Sequence, residues 1–209
     1  MLVNEPVVRH PFTPLKVVLL SGLSDPATCA LSESQRRFLA SLRVPEPWKI
    51  YWNFPYIPDA REWRRPPLCL ASVRNTQQFA LASRPAYRDA ARRHWRALAE
   101  STGELLVIAL SCGLEIVNQC LDPGVIGPPV RVIALGPVAH GLPPVPCTLV
   151  QGARDYVSKL FFRKNHASIT GVGHMNYLES PEVAEIVDRH LCSSTLESLA
   201  QASTCLSGG

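Results

Sequence analysis

The segment from Leu106 to Val117, LVIALSCGLEIV, places a serine where an apolar run stops and a second pattern starts. Ser111 has a small residue two positions away on each side, Ala109 and Gly113. A strand that turns sharply into a helix needs small residues there, because strand and helix approach closely on both sides of the bend. A side chain at such a bend lies in the crevice beyond the strand's carboxyl end, beside the free N–H groups of the helix start. Ser111 is therefore a candidate nucleophile.

Cys112 is a second candidate at the same bend. Centring the bend on Cys112 would put Leu110 and Leu114 at the flanking positions, where little room exists. The spacing therefore favours Ser111 as nucleophile, with Cys112 offering its backbone N–H to an oxyanion hole and packing its thiol away. A small-x-Ser-x-small pentad also arises often by chance, so its meaning depends on partners further along the chain.

A serine hydroxyl attacks a carbonyl only when a base takes its proton and a third group orients that base. Asp155 follows the apolar run CTLVQ, and His174 follows the short run ASIT in the glycine-flanked loop GVGH. Hydrolases with this kind of bend supply nucleophile, acid and histidine in that chain order. We therefore predict a triad of Ser111, Asp155 and His174. Taken singly, Asp155 also fits a turn aspartate and His174 a surface histidine.

The apolar runs predict the elements that must position these residues. Runs that are apolar on both faces are typical of central parallel strands, and here they alternate with amphipathic helical patterns. The predicted strands are Lys16–Leu20, Lys49–Trp52, Leu105–Leu110, Val130–Leu135, Cys147–Gln151 and Ala167–Thr170. The predicted helices are Ser32–Leu42, Ala86–Ala99, Leu114–Leu121 and Pro181–Leu191. This alternation predicts an α/β fold with a doubly wound, mostly parallel sheet of about six strands flanked by helices.

The length of 209 residues suits one domain, which we expect at residues 1–192. The serine-rich tail at 193–209 is expected to be poorly ordered. The segment Asn53–Leu68, rich in Pro, Trp and Arg, is predicted to form a loop over the carboxyl edge of the sheet. No separate cap domain fits this organisation.

Composition narrows the class of protein. With 46% hydrophobic and 18% charged residues, the chain has the composition of an ordinary globular protein. The net charge of +4 comes from scattered Lys and Arg, which argues against a nucleic acid partner. The seven cysteines show no metal-ligand or redox spacing, so we expect free thiols and no metal. The absence of a secretion signal and of a membrane-length apolar run predicts a cytoplasmic protein without a membrane span.

Three motifs taken together resemble the α/β-hydrolase family. They are ALSCG at the bend, LVQGARDYV around the acid and GVGHMNYLESPEVAEIVDRHL around the histidine. The resemblance extends over residues 15–192 and implies serine-hydrolase chemistry at Ser111, Asp155 and His174. It also implies that the backbone N–H of Leu23 is a second oxyanion donor, in the loop after the first strand where the family often has His-Gly.

The sequence departs from the family pattern in three places. Ala109 replaces the first glycine of the bend, and we expect the family's N-terminal β-hairpin to be reduced or missing. The short interval between Asp155 and His174 leaves little room for the usual helix, so we expect that helix to be shortened or lost.

The resemblance implies hydrolysis of a small-molecule acyl ester or thioester through a covalent acyl-enzyme, without a metal or cofactor. The compact build and Arg61, Arg64 and Arg65 favour a thioester on coenzyme A or a carrier protein, because arginine suits phosphate recognition. The same arginines also fit a solvated patch. Carboxylesterase or acyltransferase chemistry on the same triad stays an alternative, as does a non-catalytic binding or assembly protein, because a fold alone does not establish chemistry.

Four further residues are candidates for the substrate pocket. His140 follows a predicted strand, and Trp52 and Tyr56 lie where the aromatic loop begins. Met175 follows His174 directly. Each has a structural alternative, since His140 also fits a turn and the aromatic residues also fit anchors that hold the loop to the core.

Overall fold

The computed structural model describes residues 7–57, 61–121, 127–163, 167–169 and 171–192. Its six strands are β1 Thr13–Leu20, β2 Lys49–Ile50, β3 Thr102–Leu110, β4 Val130–Leu135, β5 Cys147–Gly152 and β6 Ala167–Ile169. They form one sheet in the order β2-β1-β3-β4-β5-β6, and all five neighbouring pairs are parallel. Thr170, the last residue of the sixth predicted strand, and the tail at 193–209 lie outside the described residues.

Helices lie between and after these strands. They are α1 Glu33–Ser41, α2 Leu68–Ala82, α3 Pro85–Ala99, α4 Gly113–Cys120, α5 Tyr156–Phe161 and a last helix, α6, at 181–192. Short 3₁₀ turns occupy Glu46–Trp48 and Tyr177–Glu179. None of the described helices is long and apolar enough to cross a membrane.

The core has two parts because successive residues of a strand point to opposite faces of the sheet. Val107 of β3 joins a buried cluster with α3 and α4 on one face, and the next residue, Ile108, joins a cluster with α1 and α6 on the other. Central strands that are covered on both faces must be apolar throughout, as the sequence of β3 is. The predicted α/β class with a doubly wound parallel sheet is confirmed.

The sheet order fixes where a ligand would bind. From β1 the chain moves to β2 on one side, then returns to place β3 on the other side of β1. In an open parallel sheet the crevice forms where the strand order reverses, beyond the carboxyl ends of the strands. The loop after β1 and the bend after β3 therefore face each other across this point.

Two helices differ from the prediction. Helix α2 was not predicted, because its apolar residues do not form one clean stripe and Leu70, Val73 and Leu81 remain exposed. Helix α5 was not among the predicted helices either, and it has only six residues in the interval where a shortened or lost helix was expected. The six cysteines within the described part of the chain are free.

Candidate active site

The bend after β3 is a two-residue turn, Ser111 and Cys112, whose first residue has a strained conformation. Strand β3 ends at Leu110 and α4 begins at Gly113, and between them Ser111 has φ of +51°. A residue with a Cβ adopts this left-handed region at a cost of about 1–2 kcal/mol. The conformation is held from β4 and the loop after it, since Ser111 N donates to Leu135 O at 3.0 Å and Val138 N donates to Ser111 O at 3.1 Å. The backbone thus fixes the direction of the Ser111 side chain.

Small residues at the bend have a direct geometric reason. A Cβ on Gly113 would lie 2.1 Å from the carbonyl oxygen of Leu20, at the end of β1. On the strand side, Ala109 is fully buried and pairs in register with Leu20. The backbone at the start of α4 therefore contacts the backbone at the end of β1. Position 113 has room for the hydrogen atom of glycine but not for a Cβ.

Ser111, His174 and Asp155 form one hydrogen-bonded chain. Ser111 Oγ lies 2.9 Å from His174 Nε2, and His174 Nδ1 lies 3.0 Å from both carboxylate oxygens of Asp155. An ionised carboxylate only accepts hydrogen bonds, so Nδ1 carries the ring proton and Nε2 is left to accept from the serine hydroxyl. This is the tautomer that a general base requires.

Asp155 is fully buried, and its carboxylate accepts hydrogen bonds from several groups. Its carboxylate accepts from His174, from Ser158 N at 2.9 Å and from the hydroxyl of Tyr177 at 2.6 Å. Burial alone would raise the pKa of Asp155, but these hydrogen bonds outweigh it and hold that pKa well below its usual value of 3.8. The carboxylate is therefore ionised at neutral pH although it is out of water.

Tyr177 is a site residue that the sequence analysis missed. Its buried hydroxyl donates to Asp155 Oδ2 and accepts from Gly152 N at 2.7 Å, so it ties the acid to the end of β5. Burial and the bond to Asp155 raise the pKa of Tyr177 above its usual value. The only signal in the sequence is its position three residues after His174, and an aromatic residue there is equally typical of a core.

We expect Tyr177→Phe to lower the free energy of unfolding by about 1–3 kcal/mol at pH 7, because a hydrogen bond to a buried charge is lost. The bond favours the ionised carboxylate, so its contribution is full above the unfolded-state pKa and is lost as pH falls through the depressed folded-state pKa. Urea unfolding of both proteins should give the same difference at pH 5 and pH 7, and a smaller one below the usual value of 3.8.

Tyr51→Phe is the matched control for this measurement. The hydroxyl of Tyr51 also donates to a carboxylate, Glu46 Oε2 at 2.7 Å, but that carboxylate is exposed. Its removal should change stability little. A Tyr177→Phe difference at pH 7 no larger than that of Tyr51→Phe would contradict the role given to this bond.

The loop after β1 packs closely against the bend after β3. A Cβ on Gly22 would lie 2.7 Å from Cys112 Sγ and 2.5 Å from Asn75 Oδ1 of α2. The Cys112 thiol is buried, and burial raises its pKa to about 12, so it is neutral and packed inward. The first N–H groups of α4 have no partner within the helix, which makes the Cys112 N–H suited to an oxyanion.

The second predicted oxyanion donor is engaged by a side chain. The N–H of Leu23 donates to Oε1 of Gln78, which α2 brings to this loop. Gln78 is buried and also hydrogen-bonds Tyr87. A substrate oxygen that uses the Leu23 N–H must therefore displace the Gln78 carbonyl, and nothing in the sequence pointed to this contact.

For the ester hydrolysis that the resemblance implies, we expect Gln78→Ala to raise kcat/KM on a small soluble ester about threefold to tenfold, because the competing neutral hydrogen bond is worth about 0.5–1.5 kcal/mol. Gln77→Ala is the matched control, since Gln77 is the exposed neighbour on the same helix and should leave kcat/KM unchanged. A fall in kcat/KM with Gln78→Ala alone would mean that Gln78 assists the reaction instead of competing with it.

The predicted pocket residues lie in different environments. Tyr56 is buried, with its hydroxyl 2.9 Å from that of Tyr87, and Trp52 stacks on His10 with ring centroids 5.5 Å apart. These contacts anchor the aromatic loop to the core, which is the alternative raised for both residues, and Tyr56 has no surface to offer a substrate. The substrate-binding prediction for these two residues therefore gains no support.

His140 and Met175 are both at the surface. The ring of His140 is 3.2 Å from Glu115 Oε2 through Nδ1 and stacks on Phe79 of α2 at 4.7 Å. Its contacts thus hold α2 against α4. Met175 is 73% exposed beside His174.

The arginine-rich segment 61–67 crosses the loop after β1. The carbonyl of Arg61 accepts from Thr28 Oγ1 at 2.7 Å, and its guanidinium donates to Ala27 O at 3.2 Å. Arg64 and Arg65 are exposed. The segment therefore lies near the carboxyl edge of the sheet, and all three of its arginines are exposed.

The chain was also compared with known proteins. Its sequence matches no model of a known protein family and no curated protein sequence.

Proposed function

We propose that this protein is a serine hydrolase that cleaves an acyl ester or thioester. The observation that carries the proposal is the unbroken hydrogen-bonded chain from Ser111 Oγ through His174 to the buried carboxylate of Asp155. The strained φ of Ser111 adds support, because a costly backbone conformation at the carboxyl edge of a parallel sheet is typical of a functional position. Both features agree with the resemblance to α/β-hydrolases.

In the proposed reaction the Ser111 oxygen attacks the acyl carbonyl while His174 Nε2 takes the hydroxyl proton. Asp155 stabilises the resulting imidazolium and keeps Nδ1 protonated. The carbonyl oxygen becomes an oxyanion held by the backbone N–H groups of Cys112 and Leu23, each such donor being worth about 3 kcal/mol. His174 then returns the proton to the leaving alcohol or thiol, and water releases the acyl group by the reverse sequence.

The position of helix α2 affects which acyl compounds fit the proposed active site. The helix supplies Asn75 and Gln78 to the loop after β1 and thus lies beside the proposed oxyanion position. The site is therefore less open than the sequence suggested, which weakens the part of the thioester preference that rested on a compact build without a cap domain. The proposal accordingly covers both esters and thioesters.

Turnover on two substrate series tests the proposal. We expect the protein to hydrolyse members of a p-nitrophenyl ester series, an acyl-CoA series or both, and Ser111→Ala to abolish that turnover. A folded protein that is inactive on both series would favour the alternative of a binding or assembly protein.

A further inference from the structure

Helix α5 has an inverted distribution of polar and apolar residues. Tyr156 and Leu160, which are one turn apart on one side of the helix, are 74% and 75% exposed. Val157 and Phe161 form a second exposed apolar pair, and the buried residue is Ser158. A surface helix of a globular protein normally turns its apolar side inward, so an outward apolar side indicates contact with something outside this fold.

This exposed surface adjoins the proposed active site. Helix α5 starts directly after Asp155, and Met175, which is 73% exposed, directly follows His174. We call Tyr156, Val157, Leu160, Phe161 and Met175 the rim face. It extends towards α2, because the ring of Phe161 meets that of Phe79 at 6.0 Å and the outer side of α2 exposes Leu70 and Val73.

The exposed charged side chains on and directly beside α5 are cations, and the nearest exposed carboxylate along the chain after Met175 is Glu179. Between residues 127 and 178 the sequence contains one carboxylate side chain, Asp155, and that residue is fully buried. In the same interval the cations Arg154 and Arg163 are exposed next to α5, and the Nζ of Lys159 lies 5.5 Å from the ring centroid of Tyr156. The stretch 63–88, which contains α2, has no Asp or Glu and five arginines. The partner of the rim face must therefore be apolar and anionic.

We propose that the rim face docks on an anionic lipid surface, and that the acyl group cleaved at Ser111 is drawn from that surface. Aromatic and aliphatic side chains with flanking Lys and Arg are the arrangement that binds at the headgroup boundary of a membrane. The substrate class is then an acyl ester or thioester with a lipid chain, which rests on the function proposed above; the docking itself does not.

Two other partners fit less well. A second copy of the chain would bring Arg154, Lys159 and Arg163 against the same cations across a twofold axis, with no surface carboxylate between residues 127 and 178 to pair with them. An acidic protein would match the charge, but Tyr156 and Leu160 project from a convex helix and would need a preformed pocket in that partner. A lipid surface accepts projecting apolar side chains without one.

Co-sedimentation with vesicles tests the docking. We expect the full chain to bind vesicles in which about a third of the lipid is phosphatidylglycerol, and to bind pure phosphatidylcholine more weakly. Leu160→Ser should lower the partition coefficient about tenfold, because a leucine side chain no longer leaves water. Arg163→Gln should lower it about fivefold, which is the effect of one cation near an anionic surface.

Matched controls come from the segment before β1, which is not part of the rim face. Phe12, which directly precedes β1, is 70% exposed, and Arg9 is exposed as well. Phe12→Ser and Arg9→Gln should leave vesicle binding unchanged. Equal losses in the rim and control variants, or no binding by the wild type, would overturn the proposal.

Further measurements distinguish a lipid surface from a protein partner, and the docking proposal from the hydrolase proposal. Retention by an immobilised acidic acyl-carrier protein without vesicle binding, or a dimer in sedimentation velocity that Leu160→Ser dissociates, would also overturn the lipid assignment. Ser111→Ala should bind vesicles as the wild type does. Vesicle binding without turnover on any ester or thioester would support the docking proposal and contradict the hydrolase function. Turnover on a soluble ester without vesicle binding would support the hydrolase function and contradict the docking proposal.

Discussion

Replacing Asp155 by Asn is expected to lower kcat for ester hydrolysis by a factor on the order of 10³–10⁴. An amide N–H₂ group next to His174 Nδ1 would favour the tautomer with the proton on Nε2, which cannot accept from Ser111. The carboxylate that stabilises the imidazolium is lost as well. The fold should survive, since the amide oxygen of Asn can still accept from Ser158 N at the start of α5.

The control for this substitution is Asp188→Asn. Asp188 also accepts a backbone N–H, from Arg43 at 3.0 Å, but it lies on α6 away from the bend. Steady-state kinetics on a soluble ester, with a urea unfolding curve for each variant, separates lost chemistry from lost structure. A kcat for Asp155→Asn within tenfold of the wild type would remove Asp155 from the role of acid.

Replacing Gly113 by Ala is expected to destabilise the fold by about 3 kcal/mol or more. The added Cβ would lie 2.1 Å from the Leu20 carbonyl oxygen, and both atoms belong to backbone at the centre of the sheet. Neither β1 nor the start of α4 can move without disturbing β3, which pairs with β1 and leads directly into α4. The same movement would displace Ser111 from His174, so activity should fall with stability.

Gly141→Ala is the matched control for Gly113→Ala. No atom lies within 4 Å of a Cβ built on Gly141, in the connection between β4 and β5. Urea unfolding midpoints should therefore separate the two alanine variants clearly. Equal midpoints would mean that the contact between the bend and β1 is not a constraint on the sequence.

The central strands and the order of the proposed triad could be predicted because each leaves a local pattern. A strand that is covered on both faces must be apolar at every position, as LLVIAL is, and a bend between strand and helix must have small neighbours. The carboxyl ends of parallel strands lie at one edge, so chain order was enough to bring Ser111, Asp155 and His174 near one another in the prediction.

The supporting contacts could not be predicted because they depend on tertiary structure alone. Tyr177 acts through a hydroxyl whose two partners, Asp155 and Gly152, are 22 and 25 residues away in sequence. Gln78 lies on α2, whose exposed apolar residues hide the helical period. The exposed side of α5 was missed for the same reason, since an apolar segment after a strand is normally assigned to the core.

Labelling with a fluorophosphonate probe is the sharpest test of Ser111 as an activated nucleophile. We expect one covalent adduct per folded chain, formed by displacement of fluoride by the Ser111 oxygen and mapped to Ser111 by mass spectrometry of the digested protein. Ser111→Ala should carry no adduct, and Asp155→Asn should react far more slowly than the wild type. A folded wild-type chain that stays unlabelled, or one whose label maps to a residue other than Ser111, would exclude Ser111 as the nucleophile.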